Sequence, residues 1–67
     1  MKAQIRRDII ENDELIPHSL GGYIPERYNN TIFDYEQPDD LDGEEFNAII
    51  TAPDGARFYV YSIDLEF

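Results

Sequence analysis

Apolar and polar residues alternate at the amino end of the chain, where Met1, Ala3, Ile5 and Ile9 all fall at odd positions of Met1-Lys2-Ala3-Gln4-Ile5-Arg6-Arg7-Asp8-Ile9. A period of two marks a strand with one buried face, so this segment is expected to be a half-buried strand. Residues 11–30 keep no period and carry Pro17, Gly21, Gly22, Pro25 and Asn29-Asn30, which predicts a structured loop. Within it Tyr23 and Ile24 suit a short strand, and Pro25, having no amide donor, confines that strand to a sheet edge. Alternation returns in residues 31–36, with Thr31, Phe33 and Tyr35 on one face and Ile32, Asp34 and Glu36 on the other, a second strand. Residues 37–45 hold Pro38, Gly43 and five carboxylates, and read as an exposed loop with nothing to bury.

The strongest local signal is Ala52-Pro53-Asp54-Gly55-Ala56, set between two runs rich in β-branched and aromatic residues. Pro53 and Asp54 suit the centre of a type I turn and Gly55 the left-handed residue that closes a three-residue hairpin loop. Ala52 then pairs with Ala56, Ile50 with Phe58 and Ala48 with Val60, so Phe46, Ala48, Ile50, Phe58 and Val60 share the core face. The reverse face holds Ile49, Tyr59, Tyr61, Ile63, Leu65 and Phe67, and it is too apolar to lie wholly in water. Its expected cover is the first strand with the 11–30 loop; the alternative cover is a partner or second copy. Residues 64–67 outrun their hairpin partner once Phe46 meets Ser62, so they are expected to pair with the first strand, bringing Lys2 and Arg6 to Asp64 and Glu66. A helix over the approach to Pro53 competes, because Asp42 with Glu45 resembles a capping box. The run Ile49-Ile50-Thr51 favours the strand.

These elements predict one mainly β domain over residues 1–67, an antiparallel sheet or a five-strand barrel of SH3-like or OB-like size with a C-terminal hairpin. At 67 residues there is room for a single core. With no cysteine there is neither a disulfide framework nor a thiolate metal site, and the expected compartment is the cytoplasm. Charges interrupt every apolar run, so neither a signal-peptide core nor a membrane span can be drawn.

Charge changes the picture most. Fifteen acidic residues against five basic ones give a net charge of −10, which excludes direct nucleic-acid binding and leaves basic proteins and cations as compatible partners. The same acidity also serves plain solubility.

Catalytic chemistry finds little foothold. His18 is the only histidine and has no cysteine to activate, so its expected state is an exposed or locally hydrogen-bonded imidazole. Ser19 and Ser62 lie in no Gly-x-Ser-x-Gly elbow. Placing Gly43 at the glycine of a calcium loop makes the first ligand Pro38 and the last Ile49, so that register fails. Gly21-Gly22 reads as a tight turn and not a phosphate cradle. No cofactor, metal site or catalytic residue is expected.

Two functions remain. One is a non-enzymatic protein-interaction module or assembly subunit, a homodimer among its options, that binds through the aromatic stripe with Tyr59 and Tyr61. The other is an acidic mimic of nucleic acid that occludes a basic protein, with Asp34 and Glu36, and Asp64 and Glu66, as carboxylate rows. The loop residues Asp39, Asp40, Asp42, Glu44 and Glu45 extend that field. In composition the chain is similar to small phage and plasmid inhibitors that act as DNA mimics, a likeness that no sequence motif carries.

Overall fold

The alternation at the amino end lasts only four residues: β1 (Lys2–Ile5) buries Ala3 and Ile5 and then stops. At Arg6 the chain turns into a short helix, α1 (Arg7–Glu11), which corrects the strand expected through Ile9. Ile9 and Ile10 are consecutive yet both pack against the core, which a strand would forbid and a helical turn allows. The Arg6 carbonyl accepts both of their amides, at 3.1 and 3.3 Å, and the Asn12 side chain donates to the Asp8 carbonyl at 2.8 Å. The computed structural model describes residues 1–39 and 46–67.

The 11–30 segment is the structured loop expected, with a small hairpin inside it. Here β2 (Pro17–His18) pairs with β3 (Gly22–Tyr23), and a 3₁₀ turn follows at Glu26–Tyr28. The chain then continues through β4 (Phe33–Glu36), β5 (Ala48–Thr51), β6 (Arg57–Val60), a second 3₁₀ turn at Ser62–Asp64, and β7 (Leu65–Glu66). Among the described residues no closed barrel forms. The main sheet is antiparallel with the order β6-β5-β4-β1-β7.

Both hairpins use the same device, a three-residue loop ending in glycine at positive φ. Gly21 has φ +83° and donates to the His18 carbonyl at 3.1 Å; Gly55 has φ +94° and donates to the Ala52 carbonyl at 2.9 Å. That backbone region repels a β-carbon, so glycine sets where each chain reverses. The register expected from the second loop is the register found, with Ala48 opposite Val60 and Ile50 opposite Phe58.

Of residues 64–67, Leu65 and Glu66 pair with the first strand as expected, Gln4 opposite Glu66 and Ile5 opposite Leu65, although they do so as a separate strand, while Asp64 lies in the preceding 3₁₀ turn. The intervening 3₁₀ turn resets the alternation, and Leu65, expected on the reverse face, enters the core instead. The expected ion pairs do not form. Lys2 meets Asp34, while the Arg6 guanidinium donates to the Ile63 carbonyl at 3.2 Å and to Asp8 Oδ2 at 2.9 Å.

Strands β6 and β7 are the two sheet edges, yet only four residues join them. Four strand spacings in a flat sheet separate the edges by about 19 Å. The five steps from Val60 to Leu65 reach about 18 Å when fully extended, and less because three of these residues form a 3₁₀ turn. The sheet therefore curls. Its concave face carries Ala3, Ile5, Phe33, Ala48, Ile50, Phe58 and Val60, and the cover of Ile16, Ile24 and Tyr28 packs on that side. The 11–30 segment thus covers the core face and not the reverse face expected for it. Edge-to-face contacts of Phe58 with Tyr28 (5.3 Å between centroids) and His18 (5.5 Å) join the two layers.

Phe33 is wholly buried at their centre, so Phe33→Ala is expected to cost about 3–5 kcal/mol. A chain of this size has a total stability of only about 3–10 kcal/mol, so urea titration should find the variant largely unfolded or close to it. Gly55→Val is expected to cost about 1–3 kcal/mol by the same measurement, since only the backbone conformation opposes it and no neighbouring atom lies within reach of the new β-carbon.

Candidate interaction face

On the convex face the strand period turns Lys2 and Gln4, Asp34 and Glu36, Ile49 and Thr51, and Arg57 and Tyr59 away from the core. Register aligns Lys2, Asp34, Thr51 and Arg57 in one row across four strands, and Glu36, Ile49 and Tyr59 in the next. The Lys2 ammonium donates to Asp34 Oδ1, and Arg57 Nη2 lies 4.0 Å from Glu36 Oε2. Hydrogen bonding and then the charge of Lys2 hold the Asp34 carboxyl below the ordinary carboxylate range. All four side chains are more than half exposed, so the pairs organise charge and contribute little stability. An open hollow of about 490 Å³ lies among Met1, Asp34, Tyr35, Glu36, Thr51 and Arg57.

Asp34 and Glu36 do share one face, as expected, but each stands against a cation. Asp64 and Glu66 form no row, because Asp64 lies in the 3₁₀ turn and Glu66 in β7. Asp39 is exposed just beyond β4. The expected sites at Asp40, Asp42, Glu44 and Glu45 lie outside the described residues.

Tyr59 is half-buried opposite Ile49, and its carbonyl accepts the Ser19 amide at 3.2 Å, which ties the small hairpin to the sheet edge. Ile49 itself is buried, although the residues of the concave core do not include it. The Tyr61 ring centroid lies 4.7 Å from that of Phe46. A second ring contact, Tyr35 with Phe67 at 4.8 Å, belongs to the concave side. Sequence reasoning did not single out Lys2 and Arg57 as partners of Asp34 and Glu36. The only signal for the first pair is the β1–β4 register, which joins residues 32 positions apart.

The His18 ring packs edge-on to Phe58 and over Gly22, where a β-carbon would lie 3.2 Å from Nε2. Its Nδ1 accepts the Leu20 amide at 3.3 Å, so the local hydrogen bond expected for it is present and the imidazole serves the turn. Among the described residues no group of three or more His, Cys, Asp or Glu side chains could hold a metal ion. No helix among them is long and apolar enough to cross a membrane. The chain matches no protein-family model, no curated protein and no solved structure.

Two carboxyls are displaced in opposite directions. Asp54 lies below its ordinary range because the Ala56 amide and the Tyr28 hydroxyl donate to it, with the Arg27 charge adding to the effect. Asp64 lies above its ordinary range because burial removes water from it; Arg6 opposes that shift and Glu14 adds to it. A carboxyl raised in the folded state binds its proton more tightly than in the unfolded chain. Its contribution is fully present below the ordinary carboxylate range and is lost as pH rises through its raised folded value. Asp64→Asn is therefore expected to raise the melting temperature at neutral pH, and thermal melts should show the gain disappear in acid below the carboxylate range.

Proposed function

We propose that this chain is a non-catalytic protein-interaction module that meets its partner through the convex sheet face, with Tyr59 and Tyr61 at the contact. The observation that carries this reading is the pairing of opposite charges, Lys2 with Asp34 and Arg57 with Glu36, on the face where Tyr59 stands half-buried opposite Ile49, with the Tyr61 ring against Phe46 as a further aromatic pair. The cores of protein interfaces are poor in charged residues and rich in tyrosine, whose ring packs while its hydroxyl stays wet, so the tyrosines suit the centre of a contact and the ion pairs its rim. Residues 8–14 support a second reading, an acidic mimic that occludes a basic protein. Asp8, Glu11, Asp13 and Glu14 are all exposed there, with Arg6 and Arg7 as the neighbouring cations.

Affinity capture from native lysate, followed by binding kinetics with the purified partner at low and high salt, separates the two. The aromatic-face module is expected to keep its partner in high salt and to lose it on joint Tyr59→Ser and Tyr61→Ser substitution, with amide exchange confirming the fold. Replacing Asp39, Asp40, Asp42, Glu44 and Glu45 by Asn or Gln should then leave the dissociation rate unchanged. Binding that survives the tyrosine changes, and disappears with salt or with the neutralised carboxylates, overturns this reading in favour of the mimic.

A further inference from the structure

The turn between β5 and β6 contains a dipeptide with chemistry of its own. In an aspartate followed by glycine, the glycine nitrogen reaches the side-chain carboxyl carbon with no side chain to obstruct it. We infer that Asp54 is a latent isomerisation site, kept unreactive in the folded protein by Tyr28 and by the hydrogen bonds of the turn. In the reaction, the Gly55 nitrogen forms a bond to Asp54 Cγ. The amide proton and the protonated carboxyl oxygen leave together as one water. The resulting cyclic imide takes up one water at either carbonyl, so the net change is isomerisation without oxidation or reduction. Opening at the main-chain carbonyl of Asp54 routes the backbone through its β-carbon.

Both reacting groups are occupied in the fold. The Gly55 amide donates to the Ala52 carbonyl at 2.9 Å, and it must give up that bond and its proton to attack. Asp54 Oδ1 accepts the Ala56 amide at 3.0 Å and Oδ2 accepts the Tyr28 hydroxyl at 2.8 Å, so neither oxygen leaves without breaking a bond. Those donors also keep the carboxyl ionised, and a carboxylate is a poor electrophile. Tyr28 is fixed in turn. Its ring is buried against Phe58 and Phe33, and the Arg27 guanidinium lies 4.9 Å from the ring centroid, with Nη2 donating to the hydroxyl at 3.3 Å.

The consequence reaches beyond the turn. When the Glu26–Tyr28 turn separates from the sheet, Asp54 loses a hydrogen bond and its neighbouring cation together. The isomerised product adds a backbone carbon between Ala52 and Ala56, which opposes the register of β5 with β6. Asp54 therefore accumulates a slow covalent record of how often the cover segment lifts from the sheet.

Incubating the purified chain at neutral pH and physiological temperature, with mass-spectrometric separation of isoaspartate from aspartate, tests this. Digestion at glutamate places Asp54 and the other Asp-Gly pair, Asp42-Gly43, on different peptides. The Asp54 peptide is expected to isomerise fastest in urea, slowest in the native chain, and about five-fold faster in Tyr28→Phe than in the native chain, the change that one ordinary hydrogen bond allows. Asp54→Ala should remove the Asp54 signal from that peptide, because the side chain then carries no carbonyl carbon with which to close the ring. A native rate equal to the urea rate overturns the inference. So does a Tyr28→Phe variant that amide exchange shows to be folded and that isomerises no faster than the native chain.

Discussion

The four residues between Val60 and Leu65 connect opposite edges of one sheet, and the remaining architecture answers to that short tether. A flat sheet exceeds their reach, so the strands curl and the two faces become unlike. The concave face gathers Phe33, Ile50 and Val60 into full burial with few residues, which is how a chain this short obtains a core. The convex face spreads its side chains apart. There, among the described residues, only Ile49 is buried, with Gln4, Thr51 and Tyr59 half-buried beside it.

The concave side of a sheet of five short strands still needs a cover, and the 11–30 segment supplies it. That segment has little regular structure of its own, so its position depends on contacts with the sheet. Ile16, Ile24 and Tyr28 supply the apolar area, the Ser19 amide bonds the outer edge of β6, and Tyr28 reaches Asp54 across the β5–β6 turn. Asp54 thereby serves two elements at once, since the carboxylate that closes its own turn also seats the cover. Each contact is modest alone, about 1 kcal/mol for an ordinary hydrogen bond, but against a total of a few kcal/mol each one matters.

Legibility from sequence followed how local the determinants are. The β5–β6 register was readable because Pro53, Asp54 and Gly55 fix the loop length, and alternation then assigns every face from Ala48 to Val60. The same logic located Asp34, Glu36 and Tyr59 on the outward side. It failed at Ile9, whose even spacing is a coincidence that helical hydrogen bonding from Arg6 overrides. It failed again at Leu65, because a 3₁₀ turn inserted before it exchanges the faces without any glycine or proline to announce the change. The pairing of Lys2 with Asp34 was hidden for a different reason. It depends on which strands become neighbours, and the net charge of −10 pointed toward bare carboxylate rows instead of compensated ones.

Where the charge sits bears on what the convex face can do. Across β1, β4, β5 and β6 that face carries two cations, Lys2 and Arg57, and two carboxylates, Asp34 and Glu36. The chain's other three basic and thirteen acidic residues lie elsewhere, so the whole net charge is carried outside this set. The area of the two ion pairs can be dried against a partner without leaving an unpaired ion behind, whereas Glu66, opposite Gln4 on the edge strand β7, adds a carboxylate at the border of the same face. The surplus negative charge around it repels second copies of the same chain over the roughly 8 Å that physiological salt permits. An apolar patch on a protein this small would otherwise invite self-association. The acidity therefore opposes contact between like copies, while Ile49 stays buried and the half-buried Tyr59 lies beside charges that are paired.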